Sequence, residues 1–157
     1  MFPFDMATPF WNNDIVKDSK NNFWITTSFG LFKWNGNNLR RYNYNEQDTN
    51  SISGHYISMI YEDYNKNIWV CSEGLDLYDS KNDIFIHYTQ KFKALPKNSK
   101  AITQDNLGRY WVSSNEGIAC MDIASGYFRH YLEEDGLQAN SFIDKTVTKG
   151  NDGILYF

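Results

Sequence analysis

Three observations in this 157-residue chain predict an all-β fold: a β-propeller fragment of four-stranded antiparallel blades, about three and a half repeats long. Trp24, Trp69 and Trp111 recur 45 and 42 positions apart, each six residues after an aspartate, Asp18, Asp63 or Asp105. A glycine and an apolar residue follow each tryptophan at Gly30-Leu31, Gly74-Leu75 and Gly117-Ile118. Each unit then closes on a tyrosine, Tyr42, Tyr88 or Tyr131. A period of this length marks a repeat architecture, in which one unit buries its apolar face only by stacking on the next.

The register divides the chain into repeats at approximately 12–54, 55–98 and 99–141, with an incomplete unit at 142–157. In that last unit Tyr156 takes the tryptophan slot, 45 residues after Trp111, and Gly150 replaces the aspartate.

Four strand-like runs fit each unit. In the second they are Tyr56 to Tyr61, Ile68 to Cys71, Leu75 to Tyr78 and Ile84 to Tyr88, separated by Asp-, Asn- and Gly-rich turns. Leu75 and Leu77 alternate with Asp76 and Tyr78, as expected of a sheet with unlike faces. No stretch of helical length sustains an apolar stripe, so helical repeats of similar period are excluded. Four short strands per unit is the arrangement of a propeller blade; the coils of a parallel β-helix are normally shorter.

A tryptophan in the second strand of each blade is large enough to fill the wedge against its neighbour. Gly30, Gly74 and Gly117 are expected where the chain reverses and needs positive φ or a close backbone approach. The repeated aspartate is read as an Asx-type turn, its carboxylate accepting N–H bonds from the hairpin that follows. Calcium binding or catalysis is the sharper alternative, but identical placement on every blade favours scaffolding, because paired catalytic carboxylates need unlike surroundings.

Composition narrows the function. A formal net charge of −4, spread along the chain, argues against nucleic acid as a partner. No run of eighteen apolar residues occurs, and Met1 to Asp5 lacks the basic start and apolar core of a secretory signal. The 27 aromatic residues, 11 Phe, 5 Trp and 11 Tyr, supply the burial that short strands require. Cys71 and Cys120 hold different positions in their units and are expected as free thiols.

Catalytic and metal signatures are missing. His87 and His130 precede the closing tyrosines and His55 lies in a connector, without a compact third ligand for zinc. Gly54-His55 occurs once and no unit ends in Trp-Asp, so WD repeats do not fit, nor does the kelch pattern, whose double glycine is absent. No nucleophile elbow, zinc-protease helix or phosphate loop is present. Glu133-Glu134-Asp135 reads as a solvated turn before Gly136. Opposed carboxylates on different blades could still form a glycosidase-type pair, so a lyase or hydrolase stays open as an alternative.

The segments Asn50 to Ser53, Ile57 to Asp63 and Asn67 to Val70, together with Phe23 to Leu31, resemble the two-component regulator propeller repeat. The stretch Tyr131 to Phe142, running into Asp152 to Phe157, is similar to the region near the end of such propellers. The resemblance extends from about Asn12 to Phe157, with departures at Lys66, where a turn glycine is common, at Cys71, and in the short second unit before Gly74.

It implies a periplasmic or extracellular sensor region of an inner-membrane hybrid two-component system, of the kind found in gut Bacteroidetes, adjoining further propeller and immunoglobulin-like domains. The implied ligand is an oligosaccharide, with kinase activity confined to domains outside this chain and no cofactor. The residues alone single out no ligand-binding, catalytic or metal-binding position. A structural or dimerisation module, self-associating through the open ends of the blade stack, is the competing expectation.

Overall fold

The computed structural model describes residues 12–91 and 95–157. Three four-stranded antiparallel meanders follow one another: β1 (Asn12–Lys17), β2 (Phe23–Thr27), β3 (Gly30–Trp34) and β4 (Leu39–Tyr42); β5 (Met59–Glu62), β6 (Ile68–Cys71), β7 (Leu75–Asp79) and β8 (Ile84–His87); then β9 (Ala101–Gln104), β10 (Tyr110–Ser114), β11 (Gly117–Asp122) and β12 (Tyr127–Tyr131). A two-stranded hairpin, β13 (Thr148–Lys149) with β14 (Leu155–Tyr156), begins a fourth blade. Its pairing of Thr148 with Tyr156 repeats that of Thr103 with Trp111, so Tyr156 does stand in the tryptophan register.

The core lies between blades. Trp24, Leu31 and Tyr42 of the first blade pack on Ile60, Ile68, Val70, Tyr78 and Phe85 of the second. Trp69, Cys71, Leu75 and Tyr88 of the second pack on Ile102, Tyr110, Val112, Ala119 and Met121 of the third. Each closing tyrosine stands beside the tryptophan of its own blade, with ring centroids 6.2 Å apart for Trp24 and Tyr42, 4.7 Å for Trp69 and Tyr88, and 5.5 Å for Trp111 and Tyr131.

Four strand bounds of the second unit differ from the sequence reading, two of them only by the single residues that carry β5 to Glu62 and β7 to Asp79. β5 starts at Met59 rather than Tyr56; the Ser58 N–H still reaches the Cys71 carbonyl at 2.9 Å, while its hydroxyl donates to the Ser99 carbonyl at 2.7 Å, tying the entry of this strand to the next blade. β8 ends at His87 because Thr89 Oγ1 takes the Leu75 N–H at 2.8 Å, and Tyr88 opens a one-turn helix, α1 (Tyr88–Lys91).

The faces of β7 alternate as expected, with Leu75 and Leu77 toward the third blade and Tyr78 toward the first. Asp76 and Tyr78 are buried, like Leu75, because a blade with neighbours on both sides has no solvent face. Trp111 differs from its counterparts: Trp24 and Trp69 are 0% exposed, whereas Trp111 is half-buried at the flank of the third blade.

The glycine anchors divide by mechanism. Gly30 and Gly117 have φ of 116° and 104°, and a β-carbon on either would strike the carbonyl of the tyrosine opposite, Tyr42 or Tyr131. Gly74 has an ordinary φ and is required instead by the close approach of Ser53.

The connector at 143–147 reaches across to the first blade. Lys145 Nζ lies 3.5 Å from Asp14 Oδ1 on β1, and the other oxygen of Asp14 accepts the Ile60 N–H at 3.1 Å.

Candidate functional site

In a four-stranded meander the first and third turns fall at one end of the sheet, while the second turn and the connector to the next blade fall at the other. The two ends of these blades are chemically distinct.

The first-turn end is built by the repeated aspartates. Asp63 Oδ1 accepts the N–H groups of Asn65 (2.9 Å) and Asn67 (2.8 Å); its Oδ2 accepts Asn67 Nδ2 and the Trp69 indole N–H, both at 2.9 Å. Asp18 repeats the arrangement with Lys20, Asn22 and Trp24. Asp105 repeats it with Leu107, Arg109 and Trp111.

The six-residue interval thus joins an Asx turn to the indole it steadies. The sequence reading identified the turn and missed the indole bond, although the constant spacing carried that information. Burial pushes these carboxyls upward, but the donated hydrogen bonds outweigh it and hold all three below the usual carboxylate range. Carboxylates so fully engaged are poor candidates for proton transfer or metal binding.

Of the other residues weighed in the sequence, the His87 ring has structural partners and, among the described residues, His130 Nε2 does not. His87 Nε2 lies 2.6 Å from the Ser51 carbonyl oxygen and 4.0 Å from Asp76. Asp76 accepts the Ser53 N–H at 2.7 Å and the Ser53 hydroxyl, which pins the 43–54 connector onto the second blade. Burial raises the Asp76 carboxyl despite those bonds. His130 is part-exposed, with its Nε2 enclosed and without a hydrogen-bond partner.

Glu133–Asp135 form an exposed 3-10 turn in which Asp135 caps Leu132. Cys71 and Cys120 are buried free thiols in different blades, and burial pushes the Cys71 thiol up to about 12. Among the described residues no group of three His, Cys, Asp or Glu is arranged to hold a metal.

The connector end carries long irregular segments, where binding groups are usually displayed on a rigid scaffold. A cavity of about 300 Å³ opens there between the β2–β3 turn (Ser28, Phe29, Gly30), the end of β4 (Arg41, Asn43) and the connector (Tyr44, Ile52, His55). Tyr44 and His55 meet edge to face at 4.9 Å, and Phe29 is 45% exposed. Arg41 Nε donates to the Phe29 carbonyl at 2.8 Å and to Asn43 Oδ1 at 3.0 Å. Aromatic faces beside fixed planar donors and acceptors suit a polyhydroxylated ligand.

A larger cavity of about 390 Å³ lies at the third-blade flank, lined by Arg109, Trp111, Ile118, Tyr131, Leu155 and Phe157 among others. Its tryptophan and tyrosine belong to the surface that a neighbouring blade covers in the two closed wedges, so its geometry is that of a packing surface.

Comparison with known proteins agrees with this architecture. Residues 51–74 match the family described as two component regulator propeller. The extracellular domain of the B. thetaiotaomicron hybrid two component system BT3049 is 29% identical, with a TM-score of 0.80 over 93% of this chain. A second such domain from the same organism, BT4673, is 22% identical with a TM-score of 0.79 over 96% of the chain.

The chain spans 20% and 22% of the lengths of those two structures. An inactive virginiamycin B lyase from Staphylococcus aureus, 16% identical with a TM-score of 0.65 over 96% of this chain and 49% of its own, shares the fold alone. No curated protein matches the chain.

Proposed function

We propose that this chain, a sensor-type propeller segment built of two-component regulator repeats, serves the extracellular or periplasmic part of a hybrid two-component system by binding an oligosaccharide, without turning it over. The observation that carries the reading is the pocket at the connector end, where Phe29, Tyr44 and His55 stand beside Arg41 and Asn43. Sugar rings stack on aromatic faces through their C–H surface, while hydroxyls exchange hydrogen bonds with amide and guanidinium groups. The engagement of Asp18, Asp63 and Asp105 in their turns supports binding over hydrolysis or lyase chemistry.

The kinase, the membrane anchor and the adjoining domains belong to the rest of such a system. Among the described residues no helix is long and apolar enough to cross a membrane. Titrating the chain with oligosaccharides and following indole fluorescence and heat tests the reading. Binding by the wild type that is lost in His55→Ala and Tyr44→Ala, with unchanged circular dichroism, is the expected result. Cleavage of the added sugar would favour an enzyme instead.

The Trp111 flank favours a second role in assembly. Its apolar groove matches what a neighbouring blade covers elsewhere, so contact through this end with an adjoining sheet or a second copy is expected. Light scattering across a concentration series, compared with Trp111→Asp, checks it.

A further inference from the structure

We propose that the Phe29 pocket selects anionic sugars, with Arg41 receiving the carboxylate of a uronic acid or the sulfate of a sulfated residue. This inference rests on the oligosaccharide reading above and narrows its substrate class. The argument begins with charge pairing. Of the four arginines, Arg40 pairs with Asp83 at 2.6 Å, Arg109 with Asp105 at 2.7 Å and Arg129 with Asp135 at 3.5 Å. Arg41 has no carboxylate partner among the described residues.

Arg41 is nevertheless held in place. Its Nε donates to the Phe29 carbonyl and to Asn43 Oδ1, and its guanidinium carbon stands 5.7 Å from the centroid of the Phe32 ring. Those contacts orient the plane from the Nε side and leave the two terminal amino groups without a hydrogen-bond acceptor among the described residues. A guanidinium fixed in this way presents parallel N–H donors that match two oxygens of a carboxylate or sulfate.

Among the described residues the pocket carries no counter-charge. Its lining of Ser28, Phe29, Gly30, Arg41, Asn43, Tyr44, Ile52 and His55 contains neither Asp nor Glu. Glu73 approaches the rim only through the His55 N–H, at 3.4 Å. In a chain of formal net charge −4, a concave site whose one permanent charge among the described residues is a cation without a carboxylate partner draws an anion.

The test is an array of neutral, uronate-bearing and sulfated oligosaccharides probed with the 157-residue chain and with Arg41→Lys and Arg41→Met, each variant first checked for wild-type near-ultraviolet circular dichroism. The expected result is retention of anionic members at least about tenfold tighter than neutral ones, lost in Arg41→Met and partly kept in Arg41→Lys. The uronate and sulfate arms identify which anion is taken.

Equal binding of neutral and anionic sugars, or indifference to Arg41→Met, overturns the anionic class while leaving oligosaccharide binding intact. Binding of no sugar by the wild type overturns both.

Discussion

The phenol of Tyr110 donates to Asp63 Oδ2 at 2.7 Å, across the boundary between the second and third blades. The same oxygen receives the Trp69 indole, so one carboxylate closes its own turn and fastens the next blade. Asp63→Ala removes both, leaving buried donors without an acceptor, each at a cost of about 1–3 kcal/mol. Tyr110→Phe, which leaves the carboxylate its other partners, is expected to cost about 1 kcal/mol. Urea denaturation of the two variants against wild type reads the difference.

Enclosure sets the ranking of the tryptophans. Trp69→Ala is expected to cost about 3–5 kcal/mol, because the indole is sealed between two blades. Trp111→Ala, at the open flank, should cost less than half as much. Equal losses in thermal or urea unfolding would contradict the wedge account.

Two residues with positive φ should respond oppositely to glycine. Asn21, Lys66, Gly108 and Gly153 occupy the same turn position with φ of 65°, 67°, 79° and 84°. Among the described residues Lys66 makes no side-chain hydrogen bond or ion pair, so Lys66→Gly is expected to stabilise by up to about 1 kcal/mol. Asp83, at φ 60°, accepts the hydroxyls of Tyr42 and Tyr78, each at 2.6 Å, and pairs with Arg40. Asp83→Gly relieves the same backbone strain but breaks those ties and should destabilise.

Acid should weaken the fold through the turn aspartates. For Asp18, Asp63 and Asp105 burial works upward, but hydrogen bonds leave the folded carboxyl below its usual value. A depressed folded pKa contributes stability above the unfolded value, near 3.9, that disappears as pH falls through the folded one. Urea midpoints should therefore drop as pH falls below about 5 and through the lowered folded values, with a shallower drop in Asp63→Asn. Asp76 is raised by burial and acts in the opposite sense, so Asp76→Asn should steepen the acid loss.

Much of the fold was legible because its strongest signals are periodic. Trp24, Trp69 and Trp111 mark the second strand of every blade, and Gly30 and Gly117 fall where positive φ is needed. Illegible were contacts between units. Alternation set Asp76 on the face opposite Leu75, but it reports which side a residue takes and not whether another blade covers that side. The candidate pocket was hidden for a related reason. Phe29, Arg41 and His55 come from a turn, a strand end and a connector, and no short-range pattern ties them together. Their residue types were visible, but only the meander brings them to one rim.

The ion pair between Lys145 and Asp14 ties the array together outside its wedges. A linear stack relays a disturbance only from neighbour to neighbour. Here the segment entering the fourth unit also touches the innermost strand of the first, so the contacts of the array are not confined to adjacent blades.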